Sequence, residues 1–252
     1  MSIEQNIDGS GDVFAVDLVR LDLEPSVVGV DGDLGGVCMM GSTQKKQASV
    51  RSPRTQEERR RTTRLLLIDA AIQAIDEEGY ARASVSRIVE RAGVSRGGHL
   101  HHFASKDLIF AAVGAHLSAS VFRKSGAVLA ACPSPDQRLA ALLRFLWRDV
   151  LSRRDGRVLL ELMVASRTDA QLAERLRPLA LKTMRLYGRA AERLFVARPG
   201  AEMSVQTAFR LAQWSLRGMM TDRPLAQDKG FFDREVEALI ALINHSIAGR
   251  PQ

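Results

Sequence analysis

Cysteine, aromatic side chains and long apolar runs are all scarce in this chain of 252 residues, and each scarcity narrows what it can be. The two cysteines, Cys38 and Cys132, stand far apart and form no CxxC or other ligand spacing. That argues against a disulfide scaffold or a cysteine-based zinc module and fits a reducing, cytoplasmic setting. Only 5% of residues are aromatic, while alanine and leucine dominate, a balance that leans towards helix. No run of about 18 apolar residues is present, so no membrane span is expected. The opening MSIEQNIDGSGD has no basic segment followed by an apolar one, so no secretory signal is expected either. HExxH, GxSxG and Walker patterns are missing, and His116 and His245 stand alone on helical stretches. Neither an enzyme nor a cofactor is expected.

What is present is positive charge, unevenly placed. The net charge is +7, yet residues 1–42 hold eight acidic side chains and only Arg20, leaving 35 basic against 21 acidic side chains in the rest. A basic body suits a polyanionic partner, although an arginine-rich solvated surface would look the same by composition. Residues 1–43 have no periodicity that continues into a fold. GVDGDLGGV is glycine-rich but lies outside any βαβ unit, and as a calcium loop it fails because Ser42 stands where a bidentate glutamate belongs. This stretch is expected to be disordered, or not native coding sequence, since MMGSTQKK from Met39 reads like a natural start. Residues 44–57 are expected to form a basic arm; the longer stretch 44–64, QKKQASVRSPRTQEERRRTTR, carries eight Lys or Arg, as a solvated tail or a phosphate-tracking segment would.

From Arg59 onward the apolar pattern is helical almost without a break. Leu65, Ile68, Ile72 and Ile75 mark a first helix closed by Gly79. Ser84 caps a short second helix with Val85, Ile88, Val89 and Ala92 on one face, and Gly93 ends it. Ser95 opens a third segment to about Phe103, and Ser105 a fourth. Breaks at CPSPDQ, RRDGR, SRTDAQ, ARPGAE and TDRPLAQDKG leave helices near 135–153, 155–166, 168–197, 203–220 and 230–247. The expected fold is all-α with about nine helices and no strand after residue 43. Two short helices joined by RAGVS have the turn of a helix-turn-helix, with Val94, Ile88 and Phe103 as a small shared core.

ASVSRIVERAGVSRGGHLHHFASKDLIFAAV resembles the DNA-binding domain of the TetR family of bacterial transcriptional regulators, over about residues 58–118 with the motif at 84–103. The resemblance implies an N-terminal three-helix DNA-binding domain and, over 119–250, a helical domain for effector binding and dimerisation. It implies that Ser86, Arg96, Gly97, Gly98 and Leu100 face base edges, Arg96 suiting guanine O6 and N7, and Leu100 replacing the usual tyrosine. Ser84, His101, His102 and Lys106 fall at phosphate-contacting positions. His99 and His102 are spaced to share a metal ion, but no further ligand set stands nearby, so no metal is expected.

A palindromic double-stranded operator requires a symmetric dimer. Ala208, Ala212 and Leu216 in TAFRLAQWSLRGMM, with Val236, Leu239, Ile240 and Ile243 in EVEALIALINHSI, are expected at its interface, unless these faces bury within one chain. Phe145, Trp147, Met163, Met184 and Tyr187 are expected to line a pocket for a small, largely apolar organic effector. The leading expectation is a repressor released from DNA by that effector. A TetR-like activator, a ligand-independent regulator and a non-specific nucleoid protein remain open.

Overall fold

A computed structural model describes residues 55–95, 101–226, 228 and 230–250. The acidic N-terminal stretch and the basic arm up to residue 54 lie outside the described residues. Eight α-helices are present among those described: α1 Gln56–Glu78, α2 Val85–Ala92, α3 Lys106–Ala130, α4 Arg138–Phe145, α5 Arg154–Ala165, α6 Ala170–Leu194, α7 Val205–Asp222 and α8 Phe231–Asn244. The fold is all-α in character. The start of α1 is set by a capping box: Glu58 N–H donates to Thr55 Oγ1 (3.2 Å) and Thr55 N–H to Glu58 Oε2 (2.8 Å).

Two features depart from the sequence expectation. The helix expected near 135–153 is α4 followed by a π-helical turn, Leu146–Leu151. Two short antiparallel strands, β1 Phe195–Ala197 and β2 Ile247–Gly249, pair Phe195 with Gly249 and Ala197 with Ile247. Three residues are too few for an alternating pattern to show, and both strands follow directly on helical stretches, so they read as helix ends. The π turn brings the backbone close to the start of α5. A Cβ on Gly156 would lie 2.4 Å from Leu151 Cα, so only glycine fits.

Burial divides the molecule into two hydrophobic clusters. One joins α1, α2 and the first half of α3 around Leu67, Ile88, Phe110 and Val113, and takes Val158 and Leu162 from α5 and Leu172 from α6. The other joins the second half of α3 to α4, the π turn, α6, α7, α8 and the strands. Along α3 the division falls between Leu117 and Ala119, within one unbroken helix.

The residues expected at a dimer interface require correction. Ala208, Ala212, Leu216, Val236, Leu239, Ile240 and Ile243 are all buried inside a single chain, in the second cluster. The apolar stripe of an amphipathic helix marks the face that is buried, and here neighbouring helices of the same chain bury it. The outward large apolar side chains are Leu211 and Trp214 on α7 and Phe231 and Leu242 on α8, the last 65% exposed.

Candidate nucleic-acid interface and internal cavity

The geometry around α2 follows from a few local bonds. Ser84 Oγ accepts from Arg87 N–H (3.4 Å) and lies 3.0 Å from Ser86 Oγ, so the cap also orients the exposed first turn. Gly93 closes the helix at φ 64°, ψ 27°, a left-handed conformation that glycine adopts without a Cβ clash. Its N–H donates to Glu90 O, and Val94 N–H to Val89 O. Ile88, Val89 and Phe103 are buried together and Val94 packs against them, while the Arg64 guanidinium lies 5.2 Å from the Phe103 ring centroid. Arg87 and Arg91 pair with Glu78, and Arg91 also with Glu77 (2.7 Å), fixing α2 against the end of α1.

Around this frame the expected DNA contacts are distributed as follows. Ser86 is exposed on the first turn of α2 and Ser84 half-buried behind it. Arg96, Gly97, Gly98 and Leu100, with His99, lie outside the described residues. His101 is exposed and His102 half-buried. Burial first, then the nearby charges of Arg60, His101 and Arg64, hold the His102 imidazole below the usual histidine range, so it is neutral at pH 7. Arg59, Arg60 and Arg61 have no carboxylate partner among the described residues and form a basic edge on α1.

Lys106 is not the free cation expected of a phosphate contact. Its ammonium donates to Tyr80 O (3.0 Å) and sits over the rings of Tyr80 (4.5 Å) and Phe110 (5.3 Å); burial lowers its proton affinity. A carbonyl and two aromatic faces satisfy the charge inside the protein, which is why the side chain turns inward. Tyr80 itself ties the α1–α2 end of the first cluster to α5 and to the start of α6. Its N–H donates to Glu161 Oε1 on α5 (3.0 Å) and its hydroxyl to Asp169, the N-cap of α6. Arg157 of α5 grips Asp76 of α1 through two bonds of 2.9 and 3.0 Å, and Arg175 of α6 holds Asp107 at 2.9 Å.

A cavity of about 380 Å³ lies among α3, the π turn, α5, α6 and α7. Three of the five residues expected to line it do so: Met163, Met184 and Tyr187. Phe145 and Trp147 do not. Phe145 packs against the second cluster. Trp147 is buried with Nε1–H donating to Asp233 Oδ1 (3.1 Å) and its ring beside Phe232, because a buried indole needs a partner for its N–H. The cavity wall also carries a polar stripe not expected from the sequence: Arg210, Gln213, Trp214 and Arg217 from α7, with Thr183 and Tyr187 from α6. Their spacing, i, i+3, i+4 and i+7, was the available signal. Arg217 has no carboxylate partner among the described residues, and burial pushes its proton affinity down. Thr183 Oγ1 is buried without a hydrogen-bond partner. Burial pushes the ionisation of Tyr187 well up, which keeps its hydroxyl a donor.

With this geometry in hand, similarity to known proteins becomes specific. A family model for bacterial regulatory proteins of the tetR family matches residues 67–113. An uncharacterised HTH-type transcriptional regulator of Mycobacterium tuberculosis is 36% identical over 156 residues, which is 62% of this chain and 77% of that one. Among solved structures, a Saccharomonospora viridis protein in complex with choline has a TM-score of 0.58 at 18% identity, covering 77% of this chain and all of that one. The regulator FadR of Bacillus subtilis, in complex with stearoyl-CoA, has a TM-score of 0.57 at 16% identity, covering 71% of this chain and 96% of the other. At these identities the two structures establish a shared fold.

Proposed function

The chain belongs to the TetR family of DNA-binding transcriptional regulators, and from that premise we propose that it is a homodimeric repressor released from a palindromic operator by a small organic effector. Residues 58–118 form the DNA-binding unit and 119–250 the effector and dimerisation unit. In the DNA-binding unit, Ser86, Arg96, Gly97, Gly98 and Leu100 read base edges. Ser84, His101 and His102 hold phosphates, with His102 as a neutral donor and the α1 arginines as long-range attraction. Lys106 contributes by holding Tyr80 in place. Two copies meet through the outward faces of α7 and α8, where Leu211 and Leu242 are exposed.

The observation that carries the effector-release reading is the position of α5. One side of it lines the cavity through Leu159 and Met163, while Arg157 and Glu161 are bonded to Asp76 and Tyr80 of the DNA-binding unit. Leu162 belongs to both, lining the cavity and buried in the first cluster. A ligand that favours one position of α5 therefore acts on the orientation of α2 without touching it. Regulators of this fold have been crystallised with ligands as different as choline and stearoyl-CoA, which supports an internal cavity as the effector site and leaves the ligand's chemistry to the lining.

The test is selection of bound DNA from a random pool, followed by gel shifts on the selected site with and without a cavity ligand. A palindromic site bound far more tightly than random DNA at matched salt, and weakened roughly 5–150-fold by the ligand, is the expected result. Equal affinity for random DNA would make the chain a non-specific nucleoid protein. Unchanged operator affinity at ligand saturation would remove effector release.

A further inference from the structure

The cavity's few polar groups define the class of molecule it takes. Its wall is largely apolar and includes no aspartate or glutamate, yet it carries Arg210 and Arg217. An arginine facing an apolar cavity without a carboxylate is costly to hold, because the guanidinium gives up water and gains no counter-charge. Thr183 adds a buried hydroxyl with no partner, and Tyr187 a hydroxyl donor near enough to Arg217 for the two to influence each other's ionisation. Two guanidinium groups and two hydroxyls that can donate, on a wall with no carboxylate, lack one thing in common, an anion. Resting on the reading of this cavity as the effector site, we propose that it binds an amphiphilic carboxylate: the head is held by Arg217 with Thr183, Tyr187 and Arg210 as further donors, and the apolar body lies against the leucine-lined remainder.

A guanidinium meets a carboxylate through two parallel charge-assisted bonds, which a hydroxyl or an ester cannot reproduce. A quaternary ammonium ligand such as choline would bring positive charge to a wall that already carries it. The chemistry of the lining thus separates this chain from its choline-bound structural relative in spite of the shared fold.

The experiment is calorimetric titration of the full chain with straight-chain carboxylates from hexanoate to dodecanoate, with the matched primary alcohols and with choline. Concentrations stay below micelle formation, and quenching of Trp214 emission reports occupancy of the cavity, whose wall includes that residue. The expected result is about ten- to a hundredfold tighter binding of the best carboxylate than of its alcohol, and no binding of choline. Arg217→Met should bring the carboxylate down to the alcohol's affinity and leave the alcohol unchanged. Arg217→Lys should retain part of the preference. Equal binding of acid and alcohol by the native chain overturns the proposal without any variant, as does the failure of every carboxylate to bind. A preference that survives Arg217→Met overturns the assignment of the head group. If alcohols bind as well as acids and either releases DNA, effector release stands and the anion inference falls. If a carboxylate binds through Arg217 and operator affinity does not change, the reverse holds.

Discussion

The seam beneath α2 and the internal cavity use arginine in opposite ways. On the DNA-binding side, Arg87 and Arg91 are tied to Glu77 and Glu78, and Arg157 to Asp76, so each cation meets its acceptors within the fold. In the cavity, Arg217 faces apolar wall with no acid opposite it. A paired surface arginine positions a helix and adds little stability of its own. An unpaired, desolvated one is a standing cost in the empty protein that binding an anion would remove. The difference separates residues that hold the frame from residues that, on the proposed reading, would meet a ligand, although both are the same amino acid.

The largest test of that division is Leu162→Ala, because this side chain belongs to both regions. Removing it should cost about 2–5 kcal/mol in urea denaturation and enlarge the cavity. If the loss were below about 1 kcal/mol, the two regions would not share a packed wall there. Tyr80→Phe comes next. Loss of the hydroxyl that meets Asp169 should lower stability by about 1–2 kcal/mol and weaken ligand–operator coupling in paired gel shifts while leaving ligand affinity near native. Unchanged coupling would show that the seam is structural only.

The comparison is sharpest in a pair of opposite signs. Arg217→Met should stabilise the ligand-free protein by about 1 kcal/mol, seen as a higher thermal midpoint, because an unpaired cation is withdrawn from apolar surroundings. Arg91→Met should lower it. Two shifts of the same sign would break the distinction. The smallest effect is expected from His116, whose Nδ1 is buried without a partner and whose pKa is held down by burial first and by Arg123 next. The folded pKa lies below the unfolded value, so the unfolded chain takes up protons first as pH falls. The stability this histidine contributes is present above about pH 6.5 and is lost below it. His116→Leu should flatten the fall in urea midpoint between neutral and mildly acidic buffer.

Much of the frame was legible in the residues themselves. Ser84, Gly93 and the spacing of Val85, Ile88, Val89 and Ala92 announce α2 and its turn, since capping and periodicity are local properties. The α7 and α8 stripes were equally visible, but periodicity tells which face is buried and is silent on what buries it. Periodicity alone therefore leaves Ala208 and Ile240 open to a second chain or to their own, and their own chain covers them. Lys106 turned inward because Tyr80, 26 residues earlier, offers it a carbonyl and a ring, a tertiary fact with no trace in the local sequence. Met163, Met184 and Tyr187 were found because large side chains on facing helices often meet. Arg217 and Thr183 were missed because polar residues on an amphipathic helix read as solvent-facing.

The unbroken course of α3 has a mechanical consequence. Its 25 residues make a rod about 37 Å long. One end, at Lys106 and Asp107, is bonded to Tyr80 and Arg175; further along, Gly114, Ser118 and Val121 form cavity wall. Val121 lies about 22 Å along the axis from Lys106. A tilt of only about 5° about the cavity end would carry the other end through roughly 2 Å, comparable to the reach of a hydrogen bond. On the proposed effector-release scheme a ligand would not have to rearrange the protein to be felt at the DNA; a small change of angle, multiplied by the length of one stiff lever, would be enough.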